Sequence, residues 1–321
     1  MTRRRDADVE EYFYRVLATV YRYSREVAVI DFPRSPSKRS IDMVASLREV
    51  DTTVLLKCTP DASMVSKREA VELRGIASVL DASAIIVSEM LGGIRLETGV
   101  VYDRYGVNLV NLETLEDSIS GKSLPYVMAH KDIFKVRVKG EELRKRRIER
   151  GFSLGDVASY LGVSRKAVYE YEKGVMEPTI ERAEKLVHLF GEDILEPVNL
   201  FKPAMEPSER VMEPFDAPEE EVLAGELKKM GFRIVHAKRT SVDLGVRGSS
   251  VRVLVVTFRR RESTSSMAER LAKSEKFSEV ASSTLLFVAS GSVDREKLKS
   301  VGSEPLTVRE AVEKLRDLES G

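Results

Sequence analysis

One cysteine, three histidines and no tryptophan leave little material for several common chemistries in this 321-residue chain. The lone Cys58 excludes an intrachain disulfide framework and any cysteine-rich zinc site. His130, His188 and His236 lie far apart and show no metal-ligand spacing. Apolar runs stop at strand length, as in Ala84 to Val87 and Val253 to Val256, so none could span a bilayer. Arg3, Arg4 and Arg5 are not followed by the apolar stretch of a secretory signal. Neither a phosphate-cradling glycine loop ending in Lys-Ser/Thr nor a nucleophile-triad signature is present. The expectation is a cytoplasmic protein without membrane, metal or other cofactor, and not an enzyme.

What is present is globular in composition: 42% hydrophobic, 32% charged and 7% aromatic. The length suits two or three domains. Basic and acidic residues number 52 each, so the total is silent and the distribution speaks. Lys135 to Arg150 carries a net +5, while Glu192 to Glu221 carries a net −8. A basic centre beside an acidic stretch fits one localised anion-binding face, or two solvated surfaces.

Five of eleven prolines fall between Glu196 and Pro218, which forbids regular helix and reads as an extended linker. On each side of a central helical segment the same order recurs. The first copy runs from a helix with apolar residues at Val9, Phe13, Val16, Leu17 and Val20 through a strand and Ser-Ile-Asp-Met at 40–43. The strand Thr53 to Cys58, a helix through Leu73, Ile76, Ala77 and Leu80, and the strand Ala84 to Val87 follow. The second copy has a helix through Val222, Leu223 and Leu227, then Ser-Val-Asp-Leu at 241–244, then the strand Val251 to Phe258. This predicts an α/β domain over 1–123, a basic strand or hairpin connector over 124–139 and a helical domain over 140–200. A Pro-rich acidic linker over 201–218 and a second α/β domain over 219–321, a repeat of the first, complete the division.

The segment Gly151 to Gly174 carries the strongest signal. Ser153 is placed to cap a helix, with Asp156 three residues on. Leu154, Val157, Ala158 and Leu161 form its inner face, and Gly162 ends it with the freedom a sharp turn needs. Ser164 caps a second helix whose Val168 and Tyr171 face inward, leaving Arg165, Lys166, Tyr169 and Glu170 outside. That is helix-turn-helix geometry, in which the start of the second helix enters the major groove.

Together with Leu143, Arg147, Glu172, Pro178, Ala183 and Leu186, these residues resemble the lambda-repressor/Cro (Xre-type) helix-turn-helix family over about 60 residues. The resemblance implies five helices, at roughly 141–150, 154–161, 165–172, 179–190 and 193–197. It implies base contacts by Arg165, Lys166 and Glu170, with Tyr169 either abutting DNA or simply exposed. Arginine and lysine donate to guanine, and glutamate accepts from cytosine. Phosphate contacts fall to Arg144, Lys145, Ser153, Ser164 and Lys173, and Arg147 and Glu172 form an internal ion pair. Leu154 stands where many relatives carry a Gln that touches the DNA backbone. The implied partner is double-stranded DNA, bound by a homodimer; no small-molecule effector is named by the pattern.

Helix, strand, Asp, strand ending in Lys, helix, strand is also the core order of the PD-(D/E)XK nuclease superfamily. There an Asp and a second acid hold Mg²⁺ while the Lys stabilises the attacking water. Asp42 and Lys57 match, and Glu10 or Glu11 could supply an upstream acid, but Leu55 occupies the second acid's place. The second copy keeps Asp243 without acid or Lys in its strand. Both copies therefore read as degenerate and restriction-endonuclease-like. The alternative is a Mg²⁺-dependent nuclease or junction-processing enzyme targeted by the helix-turn-helix, its missing acid replaced by Glu69 or Glu72. The whole chain is similar to a family of archaeal helix-turn-helix transcriptional regulators, carried by Val-Asn-Leu-Glu-Thr-Leu at 110–115, Gly-Val-Ser-Arg at 162–165 and Tyr-Glu at 171–172. The resulting expectation is a multidomain chain, two α/β domains flanking an all-α five-helix domain, that regulates transcription.

Overall fold

The structure, a computed structural model, describes residues 2–130, 133–207, 213–259, 262–289 and 304–320. The first α/β unit opens with helix α1 (Thr2–Tyr23) and the antiparallel strands β1 (Ser24–Val29), β2 (Met43–Leu47) and β3 (Thr53–Cys58). Helix α2 (Lys67–Val79) then crosses to β4 (Ser83–Val87), parallel to β3. A Ser66–Glu69 capping box starts α2. The two-residue strands β5 (Met90–Leu91) and β6 (Ile94–Arg95) precede β7 (Val100–Arg104), β8 (Val107–Val110) and α3 (Leu112–Ile119).

β9 (Val127–His130) and β10 (Ile133–Val136) pair antiparallel within the stretch expected to be a strand or hairpin connector, and they extend the edge of this same sheet. Its order is β1-β2-β3-β4-β8-β7-β9-β10, with β9 running parallel to β7. The physical reason is the open edge of β7, whose backbone groups need partners.

The second unit repeats the core order. Helix α8 (Pro218–Lys229) leads into β11 (Arg233–His236), β12 (Leu244–Arg247) and β13 (Arg252–Thr257). α9 (Thr264–Val280), β14 (Thr284–Val288) and α10 (Val308–Ser320) follow. The four-stranded sheet β11-β12-β13-β14 has the same senses as β1-β2-β3-β4: antiparallel, antiparallel, parallel. Asp42 and Asp243 even donate their amides to corresponding carbonyls, Leu56 and Val255.

The alternation of β-strand side chains divides the core into layers. On β3, Val54, Leu56 and Cys58 face α1 and α3, while Leu55 faces the opposite way. On β13, Val253 and Val255 face α8 and α10, and Leu254 and Val256 face the opposite way. Those opposite faces meet. Leu55, Leu73 and Ile76 share one apolar cluster with Leu254, Met267 and Phe277, so the two units enclose a common core.

Between them α4 (Gly140–Glu149), α5 (Leu154–Leu161), α6 (Arg165–Glu172) and α7 (Ile180–Phe190) surround a separate core of Leu143, Val157, Leu161, Val168, Tyr171, Leu186 and Phe190. The expected fifth helix is absent: Glu192–Ile194 forms one 3₁₀ turn, and Leu195 is already extended. Pro197 disfavours helical backbone at Glu196, whose amide instead donates to Arg137, while Leu195 bridges Val138. Incoming and outgoing chain thus pair side by side and tie the helical domain to the sheet edge. Apart from Pro218, which opens α8, the Pro-rich segment has no helix or strand among its described residues, yet it is pinned: Ala204 donates to the Ala82 carbonyl, and Leu200 and Phe201 are buried in the first unit's core.

Candidate nucleic-acid interface

Local chemistry sets where α5 and α6 begin and end. The Ser153 hydroxyl accepts from the Asp156 amide at 3.2 Å, and the Asp156 carboxylate accepts from the Ser153 amide at 2.7 Å. This pairing, with Arg165 nearby, holds the Asp156 carboxyl below its usual range. Gly162 terminates α5 at φ 68°, the left-handed region that costs glycine least. Ser164 then accepts from the Ala167 amide and starts α6. Each cap uses a serine lone pair and leaves the hydroxyl proton available to a phosphate oxygen.

The outer side of α6 carries the residues expected to reach bases. Arg165 and Lys166 are exposed, and Tyr169 is 50% exposed. Glu170 is half-buried and lies 3.6 Å from Lys166 across one helical turn. The Lys173 ammonium sits 5.8 Å from the Tyr169 ring centroid. Arg144 and Lys145 project from α4 into solvent, Lys145 lying 3.9 Å from Glu142. Of the other basic residues before α4, Arg137 pairs with Glu177, and Lys139 donates to the Asp193 carbonyl.

Two features escaped the sequence reading. A Cβ on Gly155 would sit 3.0–3.3 Å from the Arg165 guanidinium, so this helical glycine leaves the space over which that side chain lies. A Cβ on Gly140 would come within 2.3 Å of the Glu172 carbonyl oxygen, so only glycine lets α4 begin against the end of α6. A glycine inside a helix start, where propensity disfavours it, was the available signal.

Arg147 and Glu172 meet in a bidentate pair, Nε–Oε1 at 2.5 Å and Nη2–Oε2 at 3.1 Å, with Arg147 also donating to the Phe152 carbonyl. Both are buried and link α4, the turn before α5, and α6.

The acids of the nuclease-like units are engaged differently. Asp42 accepts from the Cys58 amide at 2.7 Å and lies 3.2 Å from Lys57 Nζ and 3.9 Å from Arg39. Leu55 is fully buried in the common core. Glu69 is committed to the α2 cap. Glu72 accepts from Ser40 and from the amides of Lys238 and Arg239, in the other unit. Glu10 and Glu11 are exposed on α1. Asp243 is enclosed by Arg270 at 2.7 Å and by Arg259, and Arg270 also binds Glu262 at 2.9 Å. Burial pushes the Asp243 carboxyl up, but Arg270 and Arg259 outweigh it and hold it below the usual range. An arginine beside the helical stripe of Met267, Leu271 and Phe277 was the unread signal for this cluster.

A hard cation such as Mg²⁺ requires several oxygen ligands. In the first unit Asp42 stands without a second acid, because Leu55 fills that place, and in the second Asp243 and Glu262 share the Arg270 guanidinium with Arg259 beside Asp243, so neither set fits a resident metal. Among the described residues no group of three or more His, Cys, Asp or Glu could hold a metal ion, and no helix is long and apolar enough to cross a membrane.

Comparison with known proteins agrees with both geometries. Residues 10–125 match the model of a PD-(D/E)XK superfamily domain, and residues 143–196 match that of a helix-turn-helix. A protein of Aeropyrum pernix named "Putative HTH-type transcriptional regulatory protein" is 43% identical over 98% of this chain and 96% of its own length. Proteins of the same description from Pyrococcus furiosus and Saccharolobus islandicus are 31% and 32% identical, covering 87% and 81% of this chain and 86% and 81% of their own. No solved structure matches. With a PD-(D/E)XK-superfamily domain ahead of an Xre-type helix-turn-helix, the chain belongs to this archaeal family of HTH-type transcriptional regulatory proteins.

Proposed function

We propose that the chain is a sequence-specific, Cro/lambda-repressor-type DNA-binding regulator of transcription, working in the cytoplasm, whose α/β units are non-catalytic supports. The observation that carries this reading is the exposed Arg165 and Lys166 directly after the Ser164 cap, at the end of α6 that would enter a major groove. Ser153, Ser164, Arg144, Lys145 and Lys173 are the phosphate contacts, and Arg147–Glu172 is the structural pair beneath them. The domain limits that accompany this reading are 1–123, 140–200 and 219–321, with the strands of 124–139 added to the first unit's sheet. A second copy, joined through a surface outside the α/β pair, would place two recognition helices on half-sites one helical turn apart.

The non-catalytic reading of the flanks rests on the donor sets: Leu55 cannot ligate a cation, Arg39 lies beside Asp42, and Arg259 and Arg270 hold Asp243. The test is genome-wide recovery of bound DNA together with a Mg²⁺ cleavage assay on the same protein. A small set of shared sites without cleavage is expected. Unselective recovery, or cutting that Asp42→Ala abolishes, would replace this reading with the nuclease one.

A further inference from the structure

The contact between the two α/β units is reciprocal. α2 of the first unit packs on β11 and β12 of the second, and α9 of the second packs on β1 and β2 of the first. The positions correspond residue by residue. Each helix ends four residues before its parallel strand begins, and Asp81 and Ser282 between them share a left-handed φ of 53° and 47°. Counting back from there, Glu72 of α2 corresponds to Lys273 of α9, and Arg68 to Glu269. After β1 and β11, Ile30 donates to the Asp42 carbonyl and Ala237 to the Asp243 carbonyl, so Asp31 corresponds to Lys238.

The charges at these equivalent positions are opposite. Glu72 receives the amides of Lys238 and Arg239 and lies 3.2 Å from the Arg239 guanidinium. Its counterpart Lys273 lies 3.0 Å from Asp31. Arg68 faces Glu213 of the Pro-rich segment that leads into the second unit, while Glu269 faces Arg34 of the first at 2.9 Å. The helix ends extend the pattern. Arg233, Arg247 and Arg252, one from each antiparallel strand of the second unit, donate to the carbonyls of Ser78, Val79 and Leu80 at the negative end of α2. Arg247 also pairs with Asp81 at 2.7 Å. On the other side Glu279, 2.9 Å away on the same helix, raises the Lys276 ammonium above its usual range, and Glu26 on β1 adds to it.

We infer that this interface is a heterotypic pairing surface, built so that each α/β unit accepts the other and rejects a second copy of itself. Pairing two first units would set Glu72 against Asp31 and leave Asp81 facing Ser46, the counterpart of Arg247. Pairing two second units would set Lys273 against Lys238 and Lys276 against Arg233, the counterparts of Asp31 and Glu26. Both are like-charge arrangements, and rejection by juxtaposed like charge is an effective source of partner selection. Shape adds to charge on the α2 side only. A Cβ on Gly75 would come within 2.8 Å of Val235, and one on Gly245 within 3.0 Å of Ile76. The equivalent places on the α9 side hold Lys276 and Val44, so the close approach has no homotypic counterpart. Copies of this chain therefore do not join through the surface that their own two units already fill.

The test uses the full chain and two double variants, Glu26→Lys/Asp31→Lys and Lys273→Glu/Lys276→Glu, with the four-fold combination. Each double variant should lower the thermal midpoint by about 5 °C, more at low salt than at high, because screening weakens exposed charges. The combination should recover most of the loss. In parallel, zero-length carbodiimide coupling in a mixture of light and heavy chains should join Asp31 to Lys273 within one chain. Double variants without effect, a combination no better than their sum, missing coupling, or light–heavy products at that pair would each overturn the inference.

Discussion

Arg270 Nη1 lies 2.7 Å from Asp243 Oδ2, and both side chains are fully buried. The carboxylate that matches a nuclease's metal-binding acid is thus held by a guanidinium of its own chain. Removing the guanidinium as Arg270→Ala should cost about 3–5 kcal/mol, because it leaves a buried carboxylate short of charge compensation. Chemical denaturation at neutral pH measures it, and a loss under about 1 kcal/mol would contradict the assignment.

The same cluster sets a pH dependence. Asp243 has a folded value below its unfolded one, so its contribution is present above the ordinary Asp range, about 3.9. It is lost as pH falls through the lower folded value. Stability of the second unit should therefore decline with acidification below about pH 4. Titration of Asp243 by carboxyl NMR at or above the ordinary value would contradict this.

Asp42 and Lys57 should support no cleavage of duplex, single-stranded or branched DNA with Mg²⁺ or Mn²⁺. The measurement is product release on gels. Cutting that disappears in Asp42→Ala or Lys57→Ala would show a working site that the observed donor set does not explain.

Arg147→Ala or Glu172→Ala should unfold the helical domain rather than change base preference, at about 3–5 kcal/mol for stranding a buried charge. A variant with an unchanged melting profile would contradict the structural role. Gly155→Ala separates the two properties. Alanine is the better helix former by up to about 1 kcal/mol, and only the mobile end of Arg165 must move. The variant should keep or gain stability while its specific DNA affinity falls. Unchanged affinity would mean that Arg165 does not depend on that space.

The helix-turn-helix was legible because its determinants are local. Two serine caps, Gly162 and a short apolar period lie within 25 consecutive positions, and α5 and α6 start and stop where those residues stand. The implied fifth helix failed for an equally local reason, Pro197, which outweighs the resemblance. The order of both α/β units was also legible, since each strand and helix carries its own periodicity. Their shared core was not. Glu72 meets Lys238 and Arg239 from more than 160 positions away, and periodicity says which face is apolar, not what covers it. For the same reason β9 and β10 read as a connector: nothing in Val127–His130 names β7 as its neighbour.

In the proposed function α6 reads bases while α4 touches the DNA backbone, and titration of specific and scrambled duplexes at several salt concentrations separates the two roles. Arg165→Ala should cost about 1–3 kcal/mol on the specific site and relax preference at one base pair per half-site. Lys145→Ala should weaken both duplexes equally and flatten the salt dependence by roughly one unit of slope. Equal weakening of both duplexes by Arg165→Ala, with a change of base preference in Lys145→Ala, would contradict that division.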